Sequence, residues 1–202
     1  MPAQLRRITP DDIMDITVYG RERVERRRSI IPKKKLRRVE VGPHATFHFE
    51  CYDTMWQQVH EMLFIEKGGV EQIADELSAY NPLIPQGNEL VATVMFEIED
   101  ERQRAHVLRQ LTHVEDTVFI DVGGERSKAA YETDADRTAA DGKTSSVHFL
   151  RFTFTPSQMQ KFRDENVIVM LGFTHPNYGH IAVLSMATRL ELARDFGLTV
   201  VK

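Results

Sequence analysis

Three pairs of apolar-rich segments in this chain are joined by connections too short for anything but a reversal, and that constrains the fold more than any other feature. Lys35 to Val41 and Ala45 to Cys51 flank Gly42-Pro43-His44. Asp116 to Val122 and Arg126 to Glu132 flank Gly123-Gly124, and Asn166 to Thr174 and His180 to Leu184 flank Pro176-Asn177-Tyr178-Gly179. Strands joined by tight turns pair antiparallel, because a parallel crossover needs a dozen or more residues. Glu89 to Glu99 is apolar at both parities, the pattern of a central strand covered on both faces, and Ser146 to Phe154 reads as a further strand. Helical patterns arrive as insertions instead of alternating with strands, so the expected class is α+β: a single domain with a largely antiparallel sheet, open or curled to a barrel-like form, and an N-terminal helix. Phe47, Phe49, Val94, Phe96, Phe152 and Met170 are the expected core.

The helix signals are local. Thr9 as cap, Pro10 at the first helical position and Asp11 and Asp12 against the dipole predict a first helix from Pro10 to about Arg28, ending before Pro32. Thr54 and Gln57 stand at capping-box spacing for a second helix that runs to Lys67, before Gly68-Gly69. Further helices are predicted at Val70 to Ala79, Glu101 to Leu111, after Thr155-Pro156, and from Met186 to Phe196. Thr133 to Ser145 has no large apolar side chain and reads as a surface loop. The division that follows is an N-terminal helix and basic arm over 1–35 and an α+β domain over 36–202. No run approaches the ~20 apolar residues of a membrane span and the N-terminus lacks the apolar core of a signal peptide, which gives the expectation of a cytoplasmic protein.

Charge is unevenly placed. The 202-residue chain has a formal net charge of −4, yet Arg21 to Arg38 carries ten basic residues against Glu22 and Glu25, a net +8 that leaves −12 for the rest. Such a block can bind nucleic acid, or dock on an acidic surface of its own chain or of a partner. The acidic body and the absence of interleaved aromatics favour the protein reading, with Arg26, Arg27, Arg28, Lys33, Lys34 and Lys35 as the partner-binding candidates.

Familiar catalytic motifs are missing. His60-Glu61 opens like a zincin motif, but Phe64 stands where the second histidine is needed. Asp134 and Asp136 begin like a calcium loop, yet Thr138 and Ala139 occupy a ligand position and the glycine position. Walker, GxGxxG and GxSxG patterns are absent. Cys51, the single cysteine, aligns with Phe47 and Phe49 and reads as a buried small hydrophobe. His175 and His180 flank a turn and read as surface groups.

The remaining chemistry is a set of histidines and carboxylates. Strand alternation places His48 and Glu50 together on the face opposite Phe47 and Phe49. In the second helix Glu66 projects into the apolar sector, with Glu61 and His60 on its two flanks, and Glu97 shares a strand parity with Thr93 and Met95. An unpaired buried carboxylate is costly, so Glu50 and Glu66 are expected in a shared pocket with a cation or a metal. His48, Glu50, Glu61, Glu66 and Glu97 are the candidate polar pocket. If His48, Glu50, Glu61 and Glu66 converge, the donor set suits iron, manganese or zinc.

The pieces TFHFE (Thr46 to Glu50), QVHEM (Gln58 to Met62) and YNPLIP (Tyr80 to Pro85), with VHFLRFTFTP and THPNYGHIAVLS further on, resemble an uncharacterised bacterial family, the domain of unknown function 3501, over nearly the whole chain. The resemblance implies a single-domain cytoplasmic protein encoded beside rubrerythrin-type di-iron proteins and iron–sulfur oxidoreductases, hence a redox association by neighbourhood. It supplies no catalytic residues. The triple lysine between Ile31 and Leu36 is richer in charge than the family pattern needs. Two classes stay open: an accessory protein that binds a redox partner through its basic arm, and a metal-dependent enzyme or metal-binding protein built on the His/carboxylate group. Nucleic-acid binding through the arm is the third.

Overall fold

Alternation in the strands sorts the chain into an inner and an outer surface. The computed structural model describes residues 6–131 and 144–197. Its elements are α1 (Ile16–Leu36), β1 (Arg38–Val41), β2 (Ala45–Phe49), α2 (Tyr52–Glu66), α3 (Gly69–Tyr80), β3 (Glu89–Phe96), α4 (Glu101–Gln110), β4 (Val118–Val122), β5 (Glu125–Lys128), β6 (Val147–Thr153), α5 (Pro156–Lys161), β7 (Val169–Phe173), β8 (Ile181–Val183) and α6 (Met186–Leu192). All strand pairs are antiparallel, in two four-stranded sheets ordered β1-β2-β3-β6 and β5-β4-β7-β8. The fold is α+β. The sheets touch where Ala130 and Arg151 exchange two backbone hydrogen bonds of 2.8 Å, but they do not close into a barrel.

Between the sheets lies one apolar core. Phe47, Phe49, Val94, Phe96 and Phe152 from one sheet meet Ile120, Val122, Leu171 and Phe173 from the other. Met170 is a correction: β7 turns Val169, Leu171 and Phe173 inward, so Met170 is half-buried on the opposite face, paired with Val183. Tyr178 ties the sheets together at one end. Its hydroxyl accepts from the backbone N–H groups of His44 and Ala45 and donates to the Val41 carbonyl, at 2.8–2.9 Å. Gly42 makes that approach possible, since its φ is +70° and a Cβ there would lie 2.8 Å from the Tyr178 hydroxyl.

Several boundaries differ from expectation. Pro10–Asp12 forms only a 3-10 turn, and α1 starts at Asp15, whose carboxylate caps Thr17 and Val18. The helix then continues through Pro32 to Leu36, so β1 begins at Arg38 and not at Lys35. Pro32 and Arg28 both face solvent, where water can take the carbonyl that the proline leaves unpaired. In α2 Cys51 is the cap and Thr54 stands three residues inside, its hydroxyl accepting from the Cys51 N–H at 2.9 Å. β3 ends at Phe96, with both faces covered only in its first half. The capping box at Thr155 forms as expected. Of the predicted loop over 133–145, and with it Asp134 and Asp136, all but Thr144 and Ser145 lies outside the described residues.

α1 rests on α2 through an unusual seam. Tyr19 is its one fully buried side chain. Around it Arg23 stacks 4.9 Å from the Phe64 ring centroid, Arg26 lies 5.2 Å from that of Trp56, and Gly20 gives Phe64 room that a Cβ would take. Charged and aromatic contacts hold the helix in place of an apolar stripe.

Candidate functional site

Arg37, the residue that ends α1, is buried to 2% exposure at the junction of α1, β2 and α6. Its Nε donates to the Phe49 carbonyl and one terminal nitrogen to the Glu50 carbonyl, both at 2.9 Å. The guanidinium also pairs with the Glu191 carboxylate at 3.3 Å and with Asp195. Burial pushes the Asp195 carboxyl up to about 6, against the pull of Arg37. Cys51 lies close by, buried, and that burial raises its thiol above the usual range, so it stays a neutral hydrophobe. Arg6 completes the node by donating to the Asp195 carbonyl at 2.5 Å. In the sequence Arg37 is one charge among the ten of the basic run. The available signal was in α6 and the turn after it: Thr188, Glu191 and Asp195 fall at i, i+3 and i+7, so the two acids line one helical face and require a cation there.

His48 and Glu50 come together as the alternation predicts, on the outer face of the β1-β2-β3-β6 sheet, in a cavity of about 230 Å³. The cavity is walled by the end of α1 (Lys34, Arg37), the start of α2 (Thr54, Met55, Gln58) and β3 (Thr93, Met95). Glu50 is half-buried, and its partners are hydroxyls where a cation or metal was expected. Thr93 Oγ1 lies 2.8 Å from one carboxylate oxygen and Thr54 Oγ1 2.7 Å from the other. Burial lowers the His48 pKa, which keeps the ring neutral, and its Nε2 is buried without a hydrogen-bond partner.

The other expected members of this pocket lie elsewhere. Glu61 belongs to the α1–α2 seam, where Arg23 grips both its oxygens at 2.8–3.2 Å and Tyr19 donates to it at 2.7 Å. The Arg23 bonds hold the Glu61 carboxyl below its usual range, and burial pushes the Tyr19 phenol well above its own. Glu66 is a second correction: it is exposed at the last turn of α2 and accepts from Gln72 at 2.7 Å, because a residue at a helix end can reach solvent even from the apolar sector. Glu97 lies beyond β3, accepting from Thr46 at 2.5 Å beside Arg38. His60 is fully buried with Nδ1 2.7 Å from the Trp56 carbonyl and Nε2 accepting from the Met14 N–H at 3.0 Å, a neutral tautomer fixed by the backbone. His175 is buried against the Thr112 carbonyl and His180 meets the Tyr178 ring, each engaged separately. Among the described residues no three His, Cys, Asp or Glu side chains are placed to hold a metal ion.

The basic run is sorted by the helix period. Arg23, Arg26, Lys33 and Arg37 turn toward the body, with Lys33 paired to Asp53 and Arg26 to Glu22. Lys34 reaches the His48–Glu50 cavity. On the outer face Val24, Arg28, Ile31 and Lys35 follow at i, i+4, i+7 and i+11, flanked by Arg21 and Arg27. Val24 and Ile31 are 68% and 60% exposed. Arg21, Arg27 and Lys35 make no ion pair among the described residues, and Arg28 has only a solvent-exposed pair with Glu25.

The architecture is that of an α+β protein made of two antiparallel sheets with helices between the strands and buried ionic ties around Arg37. Residues 7–196 match the family model described as Protein of unknown function (DUF3501), and the chain belongs to that family. A crystal structure of a novel protein of unknown function from Burkholderia pseudomallei K96243 is similar, with a TM-score of 0.86 and 35% identity over 94% of this chain and 99% of that one. No curated protein matches the chain. No helix of the described residues is long and apolar enough to cross a membrane.

Proposed function

We propose that the chain is an accessory binding protein that docks an acidic protein surface on the outer face of α1. One observation carries this reading: two large apolar side chains, Val24 and Ile31, are exposed one heptad apart among cations of which Arg21, Arg27 and Lys35 make no ion pair among the described residues and Arg28 only an exposed one. Isolated exposed apolar residues are ordinary, but a pair aligned along a basic helix face matches interface anatomy, with an apolar centre and a charged rim. Charge complementarity specifies an acidic partner. A rubrerythrin-type di-iron protein or an iron–sulfur oxidoreductase, the partner class implied by the family resemblance, fits if its surface is acidic. Nucleic acid fits less well, since Val24 and Ile31 offer no ring for a base to stack on.

The test is calorimetric titration of the full chain with a purified acidic rubrerythrin-type protein at ~0.1 M and ~1 M salt, where the screening length falls from ~10 to ~3 Å. Binding is expected at low salt, weaker at high salt, and weaker in a variant with Val24→Ser, Arg28→Ser and Lys35→Ser. Equal binding by that variant overturns the reading. So does preferential, salt-sensitive binding of random DNA, or a face occupied by a second copy of the chain in sedimentation.

A further inference from the structure

The cavity beside Glu50 contains more unspent polar capacity than the fold uses. The Glu50 carboxylate is held rigidly by Thr54 and Thr93, and its residue is tied by backbone bonds to Val91 and to Arg37, yet no cation pairs with it among the described residues. Two hydroxyl donors leave acceptor positions on both oxygens open. Across the cavity Lys34 has no carboxylate partner among the described residues, and the Gln58 amide has no hydrogen bond there. His48 adds a neutral ring whose Nε2 is unpartnered, while Met55 and Met95 supply apolar wall. Arg37 also borders the space, but the Glu191 and Asp195 carboxylates and three carbonyls already occupy it.

We propose that this cavity is a binding site for a small zwitterion of amino-acid size, its ammonium on Glu50 and its carboxylate toward Lys34. A lone fixed carboxylate on one wall and a lone ammonium on another select for both charges in one molecule, and about 230 Å³ has room for one of amino-acid size. A simple cation would leave Lys34 unmatched and a simple anion would face Glu50. The site lies on the sheet side of α1; only Lys34 borders the Val24–Ile31 face, and Glu50→Gln, which is remote from that face, separates the site from partner docking.

The experiment is calorimetry and thermal shift on the full chain with the twenty proteinogenic amino acids and 4-aminobutyrate, alongside butylammonium and butyrate as single-charge probes. At least one zwitterion is expected to bind, and both single-charge probes to bind at least ~10-fold more weakly. Glu50→Gln is expected to weaken that zwitterion at least ~10-fold, and so is Lys34→Met, whose exposed side chain can be cut back without disturbing folding. The proposal is overturned if no zwitterion binds at millimolar concentration, or if both variants bind as the parent does. It is also overturned if Mn²⁺ or Zn²⁺ alone binds in a Glu50-dependent way and competes with every amino acid, which would make the cavity a metal site.

Discussion

Arg37 and Arg28 belong to the same basic run and have opposite fates. Arg37 is withdrawn from water and meets two carboxylates and three carbonyls, whereas Arg28 stands in solvent beside Glu25 at 3.3 Å. A buried guanidinium with five acceptors around it is a structural part whose removal strands charges. An exposed pair contributes ~0–1 kcal/mol, and its residues are free to serve something outside the chain. The difference teaches that a dense run of charge is not one feature. On a helix it divides by angle, and here the inner members neutralise the acidic body while the outer members keep their field.

The sharpest way to break this contrast is to remove Arg37. Arg37→Met leaves Asp195 buried without its paired cation and Glu191 with only the exposed Arg194 at 3.3 Å, and is expected to cost ~3–5 kcal/mol, read as a large fall in melting temperature. Arg37→Lys keeps the charge but not the fork that reaches three carbonyls and two acids, so it is expected to recover only part of the loss.

The α1–α2 seam should show a smaller effect. Tyr19→Phe preserves the buried ring and removes the hydrogen bond to Glu61, with an expected cost of ~1–2 kcal/mol in urea unfolding. A value near zero would mean that Arg23 alone satisfies Glu61.

Acidity separates the two regions by sign. Asp195 has a folded value of about 6 against an ordinary 3.8, so its contribution to stability is full below ~3.8 and is lost as pH rises through about 6. His60 is depressed below 6.5 by burial, so its contribution is full above 6.5 and is lost as pH falls through the folded value. Unfolding curves of the parent and of Asp195→Asn, compared from pH 4 to 7, should show the parent losing stability relative to the variant as pH rises. Parallel curves would remove Asp195 from the account.

Much of the fold was legible because its signals are short-range. The turns at Gly42, Gly123 and Pro176, the phenylalanine alternation and the Thr155 cap each depend on a few neighbouring residues. Pro32 stands inside α1 although its ring crowds the Arg28 carbonyl and removes a hydrogen bond; water reaching that exposed carbonyl offsets part of the cost, and solvent exposure is a tertiary property. The pairing of His48 with Glu50 followed from strand parity. The placement of Glu61 against Arg23 and of Arg37 against Glu191 spans 38 and 154 residues, and no local pattern states such a distance. For Glu66 the sequence leaves two outcomes, burial with a partner or escape to solvent from the helix end before Gly68-Gly69, and the structure takes the second.

The most direct measurement is equilibrium urea unfolding of Arg37→Met beside a variant carrying Arg27→Ser, Arg28→Ser and Lys35→Ser, in one buffer. The outer variant is expected to lose no more than about 1.5 kcal/mol, the ordinary range of one exposed position taken three times, while Arg37→Met falls by ~3–5 kcal/mol. Equal losses in the two variants, or a larger loss from the outer face, would contradict the division of the basic run into a structural inner side and a free outer side.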